Sequence, residues 1–399
     1  MKKIHRALIS VSDKSGLENL LQVLAEYSIE IISTGGTLKK IKELGYPAKA
    51  VEEITGFPEM MNGRVKTLHP KIHGGLLALR DNLDHVKAME AHGILPIDLV
   101  VVNLYPFEQV TEKPAVSTEL AIENIDIGGP SMIRSAAKNY RDVCVLVSPN
   151  QYEKFIAEFR QNDGKISKET RFQFAMEAFT RTAAYDLAIS RFFESKTQED
   201  PSIKILTLEK KQNLRYGENP HQKAAFYVEM SKKIPWKQLH GKELSFNNLL
   251  DLDAAIEMGI TLQKDFCALL KHTNPCGVAA GKGQLENLRK AMQSDPVSFF
   301  GGIAVFSEAV QKEAAEEISK HFMEIIVAPA FTSEALSIFQ QKKNLRLIEV
   351  DFAQVAEKFT KNLRYAAGGY LLQDTDRTFA SEKDLEKKTN ATLTKEDIE

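Results

Sequence analysis

The chain of 399 residues is longer than one hydrophobic core usually serves, so two or three domains are expected, and its 43% hydrophobic content is ample for their interiors. Lysine and arginine total 52 against 54 aspartates and glutamates, and the formal charge of −2 argues against a broad nucleic-acid or membrane surface while leaving room for a local cationic pocket around a small anion. Cys144, Cys267 and Cys276 are odd in number and set in apolar runs, the pattern of reduced core thiols in a cytoplasmic protein; the N-terminal apolar run is too short for a signal peptide, and no stretch approaches the ~20 apolar residues of a membrane span.

In chain order, ALISV at 7–11 is a short apolar run that SDKSG breaks, and Leu17, Leu20, Leu21, Leu24 and Ala25 then recur at helical spacing, predicting strand, loop and helix. EIISTGG repeats the pattern with LKKIKELG as the next helix, and IDLVVVNLYPF and RDVCVLVSP read as fully buried strands of a parallel sheet. Residues 1–150 therefore read as a doubly wound α/β unit. A long helix is predicted over 168–193 with Phe172, Met176 and Phe179 on one face, and the polar stretch SKTQEDPS at 195–202 marks a domain boundary.

Beyond that boundary the runs AAFYV, FCALL, GGIAVF, EIIVAP and LRLIEV alternate with the helical patterns LDAAIEM, NLRKAM, EAAEEISKHF and SEALSIFQQ, a second α/β region. The tail from Asp374 is highly charged. Thr394 and Asp397 have capping-box spacing, and Glu396 and Asp397 are acidic in the first turn of the helix this predicts.

Two loops in the first half hand a strand over to a helix: Ser12-Asp13-Lys14-Ser15 and Ser33-Thr34-Gly35-Gly36-Thr37. Helix starts attract anions through free backbone N–H groups and the dipole, and paired glycines let a phosphate come close; a tight turn alone would also use Gly35 and Gly36. GRVKTLHPKIHGG sets Arg64, Lys66, His69, Lys71 and His73 between glycines in a stretch without clear periodicity, and reads as a cationic loop. NIDIGGPSMIRSAAKNY adds a third glycine-containing helix start, with Arg134 and Lys138 on one face of the helix that follows. Together these favour a phosphorylated small molecule at the C-terminal edge of the sheet. No Walker motif or GxGxxG is present.

SVSDKSG, STGGT, ITGFPEMMNGRVKTLHPKIHGGLLA, NLYPF and NIDIGGPSMIRSAAKN resemble the IMP cyclohydrolase domain of the bifunctional purine biosynthesis family, whose fold is like that of methylglyoxal synthase. The resemblance implies nucleotide binding by Ser12, Asp13, Lys14, Thr34, Gly35, Gly36, Thr37, Arg64, Val65, Lys66, Thr67, Val102, Asn103, Asp126 and Ile127. It also implies an acid–base role for Lys138, with Lys66, Tyr105 and Asp126 near the reacting groups, in the closure of formyl-AICAR to IMP with loss of water. Holding a weakly nucleophilic carboxamide against a formyl carbon suits such a pocket, and no metal is needed.

CALLKHTNPCGVAAG at 267–281 sets Lys271 beside His272 at the end of an apolar run and is predicted to turn through Asn274, Pro275 and Gly277. Along an extended strand the two side chains would point to opposite faces, so both reach one ligand only if the strand ends there, as Asn-Pro suggests; a polar strand terminus is the plain alternative. A zinc deaminase site is excluded by motif, since His272 is followed by Thr273 and Asn274, and Cys276 by Gly277, Val278 and Ala279. RYGENPHQ, a dense polar loop with Arg215 suited to phosphate, HGKELSFNNLLDLDAA, LLKHTNPCG, DPVSFFGGIAVF and KKNLRLIE resemble the AICAR transformylase domain of the same family.

That second resemblance implies cytidine deaminase-like subdomains, His272 as proton acceptor from the AICAR amine, and Lys271 helping the folate nitrogen leave. AICAR binding falls to Arg215, Tyr216, Asn248, His272, Gly301 and Glu324, some of them reaching across a homodimer interface, with 10-formyltetrahydrofolate as cosubstrate. The expected organisation is a cyclohydrolase domain at 1–195, a linker at 196–212 and a transformylase domain at 213–399. Family members continue past the position of Glu399, so the folate pocket and second subdomain are expected to be incomplete, formyl transfer impaired, and apolar surface exposed. A ribotide-binding effector module and an inert assembly partner are the rival readings, against which Lys66, Tyr105, Asp126 and Lys138 together favour catalysis.

Overall fold

Buried β-branched runs followed at once by amphipathic helices build parallel sheets, and the first half of the chain follows that rule. The structure is a computed structural model that describes residues 1–105, 107–111, 116–197, 201–230, 233–262, 265–281, 283–378 and 394. The helix predicted to begin at Thr394 would occupy 395–399, outside the described residues. Internal packing divides the chain into two compact units, Met1–Ile205 and Leu206–Glu399.

The first unit runs β1 (Lys2–Lys3), β2 (Arg6–Val11), α1 (Leu17–Glu26), β3 (Glu30–Ser33), α2 (Gly35–Glu43), β4 (Lys49–Ala50), α3 (Val51–Thr55), α4 (Pro70–Leu77) and α5 (Leu83–Ala91). It continues with β5 (Leu99–Asn103), α6 (Phe107–Thr111), α7 (Thr118–Glu123), α8 (Gly128–Lys138), β6 (Cys144–Leu146), α9 (Tyr152–Gln161), β7 (Lys165–Ile166) and α10 (Lys168–Glu194). Five strands form one parallel sheet in the order β4-β3-β2-β5-β6, with Ala7 level with both Ile31 and Leu99, and Leu99 level with Cys144. Leu8, Val100, Val102 and Val145 face Ile72, Leu76, Met132, Ile133, Ala178 and Tyr185; Ile9, Val101 and Leu146 face Leu17, Leu20, Leu24, Phe155 and Phe159 on the other side. Helices thus cover both faces, as a doubly wound sheet requires.

Several elements depart from their sequence patterns. The strand expected across IDLVVVNLYPF stops at Asn103, and Phe107 instead opens α6. Helix α2 begins at Gly35, three residues before its apolar pattern. Residues 70–75 of the expected cationic loop fall in α4, because Pro70 stands at its first position and the His69 ring caps it, with Nδ1 accepting from the Lys71 N–H at 3.1 Å. Helix α10 turns the face of Phe172 (57% exposed), Met176 (57%) and Phe179 (41%) outward. It buries Arg171, Phe174, Ala175, Ala178, Thr182 and Tyr185 instead. Arg171 tolerates burial because its guanidinium donates to the carbonyls of Tyr140, Ile166 and Arg141 at 2.8, 2.7 and 3.0 Å.

The second unit runs β8 (Leu208–Leu214), β9 (Ala224–Glu229), β10 (Trp236–His240), α11 (Phe246–Leu262), β11 (Phe266–Lys271), β12 (Asn274–Ala280), α12 (Gln284–Ser294) and β13 (Ile303–Phe306). It ends with α13 (Lys312–Ile318), β14 (Ile325–Ala328), α14 (Ser333–Phe339), β15 (Arg346–Val350), α15 (Phe352–Lys358), β16 (Lys361–Ala366) and β17 (Gly369–Asp374). Its main sheet is mixed, in the order β10-β15-β14-β13-β11-β12: β13, β14 and β15 are parallel, while β11 runs antiparallel to both of its neighbours. Cys144 and Cys267 are buried in these cores, and Cys276 is only partly buried.

The turn predicted at Asn274, Pro275 and Gly277 lies one step earlier. His272 and Thr273 carry φ of 52° and 65°, form a two-residue hairpin loop between Lys271 and Asn274, and leave Asn274, Pro275 and Gly277 in β12. Two consecutive positive φ values fit the right-handed twist of paired strands, and the edge position of β12 accommodates a proline that cannot donate. Helix α12 crosses β12 so closely at Gly277 that a Cβ there would lie 1.9 Å from the Ala291 carbonyl oxygen. Gly277→Ala is therefore expected to destabilise the second unit by about 1–3 kcal/mol, read as a lower urea midpoint; an unchanged midpoint would contradict this packing.

Candidate functional site

The chain leaves β2 for β3 on one side and reaches β5 on the other, so the strand order reverses between β2 and β5 and a crevice opens beyond their C-terminal ends. Asn103, the last residue of β5, ties this crevice together. Its Oδ1 accepts from the Ser12 N–H, the Ser12 hydroxyl and the Asp13 N–H at 2.6, 2.8 and 2.9 Å, and its Nδ2 donates to the Asp13 carbonyl at 2.8 Å. From the start of α2, which follows β3, Thr37 bonds both the N–H and the carbonyl of Val11 at 3.0 Å, and the Thr34 and Ser10 hydroxyls meet at 3.2 Å. Three strand ends are locked to one another by side chains of three types, asparagine, serine and threonine.

The resulting cleft has a volume of ≈ 810 Å³. One wall is the start of α2, where Thr34 is extended, Gly35 has φ 45°, and the first N–H groups have no partner within the helix. Arg64 and Lys66 come from the loop before α4, Tyr105 follows β5, and Asp126 to Gly129 lead into α8. The Lys66 ammonium lies 3.2 Å from where a Gly35 Cβ would stand and pairs with Glu59 at 2.5 Å; its side chain is 18% exposed. Arg64 pairs with Glu123. Asp126 is mostly buried: Gly129 donates to its Oδ1 at 2.8 Å, and a Cβ on Gly129 would fall 2.3 Å from its Oδ2. Burial pushes the Asp126 carboxyl above the usual carboxylate range, against the backbone bonds from Gly129 and Tyr105 that pull it down. The Tyr185 hydroxyl on α10 accepts from the Asp126 N–H at 2.8 Å and donates to the Asn124 carbonyl at 3.3 Å.

Of the residues expected here, the cleft lining brings together Ser12, Lys14, Thr34, Gly35, Gly36, Thr37, Arg64, Lys66, Thr67, Asn103, Tyr105, Asp126 and Ile127. Asp13, Val65 and Val102 are not among the lining residues. Asp13 accepts from the Ser15 N–H, Val65 bridges to Met60, and Val102 is core. Lys138 is not among the lining residues. It is the exposed last residue of α8, whose first residues line the cleft, ten positions or roughly 15 Å of helix away. His73 also turns aside, with Nδ1 2.9 Å from the Ser135 hydroxyl and burial pushing its pKa down. Glu59, Glu123 and Tyr185 were missed: both glutamates lie in polar loop or helix-end sequence, and Tyr185 sits in an apolar helix, so none carries a local signal.

In the second unit the register sets a row of groups at one end of the main sheet. Leu270 is level with Ile303, Ile303 with Ile325, and Ile325 with Arg346, so Lys271, Gly302 and Glu324 neighbour one another there, with Arg346 one step further along β15. The Lys271 ammonium donates to the Phe300 carbonyl at 2.9 Å, Gly301 has φ 72°, and Glu324 pairs with Arg346 at 2.6 Å. The exposed His272 is held to the start of α11 through the Thr273 N–H on Asp251 at 2.7 Å, one turn beyond Asn248, which itself accepts from the Ser245 N–H. Arg215 and Tyr216 lie in the loop after β8, where Gly217 and Gln222 bond each other across a tight turn at 2.9 Å. Among the described residues no hydrogen bond or ion pair joins them to the row.

The chain matches the AICARFT/IMPCHase bienzyme family over residues 136–399 and an MGS-like domain over 16–131. It is 49% identical over 401 residues to the bifunctional purine biosynthesis protein PurH of Leptospira biflexa, covering 100% of this chain and 78% of that protein. Against PurH of Oceanobacillus iheyensis it is 49% identical over 398 residues, 98% of this chain and 78% of the relative. The chain belongs to the AICARFT/IMPCHase bienzyme family. A solved structure described as the crystal structure of ForH matches 48% of this chain and 99% of its own at 32% identity, with a TM-score of 0.43.

The family is bifunctional in purine biosynthesis, combining AICAR formyltransferase and IMP cyclohydrolase, and the chain is an enzyme of that kind. Its MGS-like domain comes first, and the first unit contains the parallel sheet of five strands. For this bienzyme the raised Asp126 pKa has a definite consequence for stability. Its neutral form contributes stability that is fully present below the ordinary value of 3.8 and lost as pH rises through the raised one. Asp126→Asn, which keeps the acceptor for Gly129, is expected to raise the thermal midpoint at pH 7 and to converge with the parent near pH 4; a lower midpoint at pH 7 would contradict this. Asn103→Ala, which removes the acceptor of the half-buried Ser12 and exposed Asp13 donors, should cost about 0.5–1.5 kcal/mol in a denaturation experiment.

Proposed function

We propose that the cleft of the first unit closes formyl-AICAR to IMP, and that the strand-end row of the second unit transfers a formyl group from 10-formyltetrahydrofolate to AICAR. The observation that carries the first assignment is a lysine ammonium and a desolvated carboxyl in one cleft whose remaining wall is the start of a helix. Anion affinity at that helix start suits the ribotide phosphate. The carboxamide nitrogen then attacks the formyl carbon. The formyl oxygen collects one proton from that nitrogen and one from the former formamide nitrogen, and leaves as water. Lys66 neutralises the charge that develops on this oxygen, and Asp126 and Tyr105 are placed to move the protons.

The second assignment rests on Lys271, His272, Asn248, Gly301 and Glu324. His272 accepts a proton from the amine of AICAR as that nitrogen attacks the formyl carbon, and Lys271 supplies one to the departing folate nitrogen. Arg215 and Tyr216 are read as phosphate and base contacts. We read 1–195 as the cyclohydrolase domain, 196–212 as the linker and 213–399 as transformylase, in a cytoplasmic homodimer. Among the described residues no helix is long and apolar enough to cross a membrane.

Two lysines compete for the acid–base role in ring closure, and geometry favours Lys66 over the exposed Lys138. With formyl-AICAR as substrate, Lys66→Ala is expected to lower kcat about 100-fold and Lys138→Ala less than tenfold; the reverse order would return the role to Lys138. His272→Ala should reduce formyl transfer about 100-fold while IMP formation stays within twofold, and loss of both activities together would contradict two separate sites.

A further inference from the structure

The loop that delivers Lys66 is built around a second charged group, inside the same family motif, to which the resemblance assigns no role. Residues 60 and 65 bridge, with the Met60 N–H on the Val65 carbonyl at 3.2 Å and the return bond at 3.4 Å, and a short 3₁₀ turn at Met61–Gly63 closes the loop between them. Glu59 and Lys66 flank this bridge and therefore emerge side by side, at 2.5 Å. Gly63, with φ 91°, makes room for the carboxylate, since a Cβ there would lie 2.7 Å from Glu59 Oε1. On the other side Gly35 makes room for the ammonium. The two charges are seated between two glycines of different loops, and only one of them, Lys66, lines the cleft.

We infer that Glu59 is a positioning residue for ring closure. Its carboxylate fixes the end of a four-carbon side chain that would otherwise sample many rotamers, and aims the Lys66 ammonium at the place where oxyanion charge develops. Its partner is 18% exposed, while Glu59 itself is 41% exposed and does not enter the cleft, so the carboxylate can persist when a ribotide binds. An interaction that acts through a group used only in the transition state is expected to appear in kcat and to leave KM nearly unchanged.

This inference rests on Lys66 serving in ring closure, and the experiment separates the two. Formyl-AICAR kinetics on the full chain compare the parent with Glu59→Gln, Glu59→Ala, Lys66→Ala and Glu59→Gln/Lys66→Ala, each checked for an unchanged thermal midpoint. Expected are a fall in kcat of about tenfold for Glu59→Gln, which keeps one acceptor, and about 100-fold for Glu59→Ala, with KM within twofold. The double variant should match Lys66→Ala alone, because a positioning residue has nothing left to position. If Lys66→Ala is inactive but both Glu59 variants match the parent, the positioning role is overturned. If the two losses multiply in the double variant, Glu59 acts independently of Lys66 and the inference is also overturned. If Lys66→Ala keeps full activity, the assignment of Lys66 falls first and this role falls with it.

Discussion

The amide of Asn103 is the constraint on which the first unit depends. A parallel sheet whose strand order reverses must open between the two diverging strands, and the loops leaving them have no sheet hydrogen bonds to hold them. Asn103 satisfies three donors of the Ser12–Asp13 loop with one oxygen and returns a bond from its nitrogen, converting a gap into a cleft of fixed shape. Four bonds through one planar group define its orientation closely. The helix start at Gly35, the lysine from the neighbouring loop and the carboxyl at Asp126 can then face the same space.

The cleft also carries a cost that suits its use. A carboxyl held in a desolvated site with a raised pKa, beside glycines that admit no side chain, is a local conflict between stability and chemistry. Tyr185 shares that burden from below. Its hydroxyl meets the Asp126 N–H and the Asn124 carbonyl, so a backbone segment that belongs to no regular element reaches the core without orphaned groups. The second unit solves a similar problem differently, by aligning the ends of β11, β13, β14 and β15 through register and holding the Lys271–Asn274 turn against α11.

Much of this was legible in the residues. The apolar runs at 7–11 and 99–103 read as buried strands, and the Ser12–Ser15 and Ser33–Thr37 handovers as helix starts, as the structure has them. The failures have physical causes. Helix α10 carries apolar residues on every side, so periodicity could not say that Arg171, Thr182 and Tyr185 face inward while Phe172, Met176 and Phe179 face out. Arg171 reads as a surface residue until three stray carbonyls are seen to need it. The turn expected at Asn274–Pro275 moved to His272–Thr273 because strand pairing, with an edge position for the proline, outweighed local turn preference. Lys138 has its proposed role from the resemblance alone; the structure shows it at the end of α8, a helix length from the glycines that begin the same motif.

The central claim is that the crevice tied by Asn103 is where IMP is made. A crystal structure of the full chain with IMP bound tests it most directly. The account predicts the phosphate against the exposed N–H groups at the start of α2, with the purine ring between Lys66 and Asp126. Density for IMP at another place, with this cleft empty at saturating ligand, would contradict it.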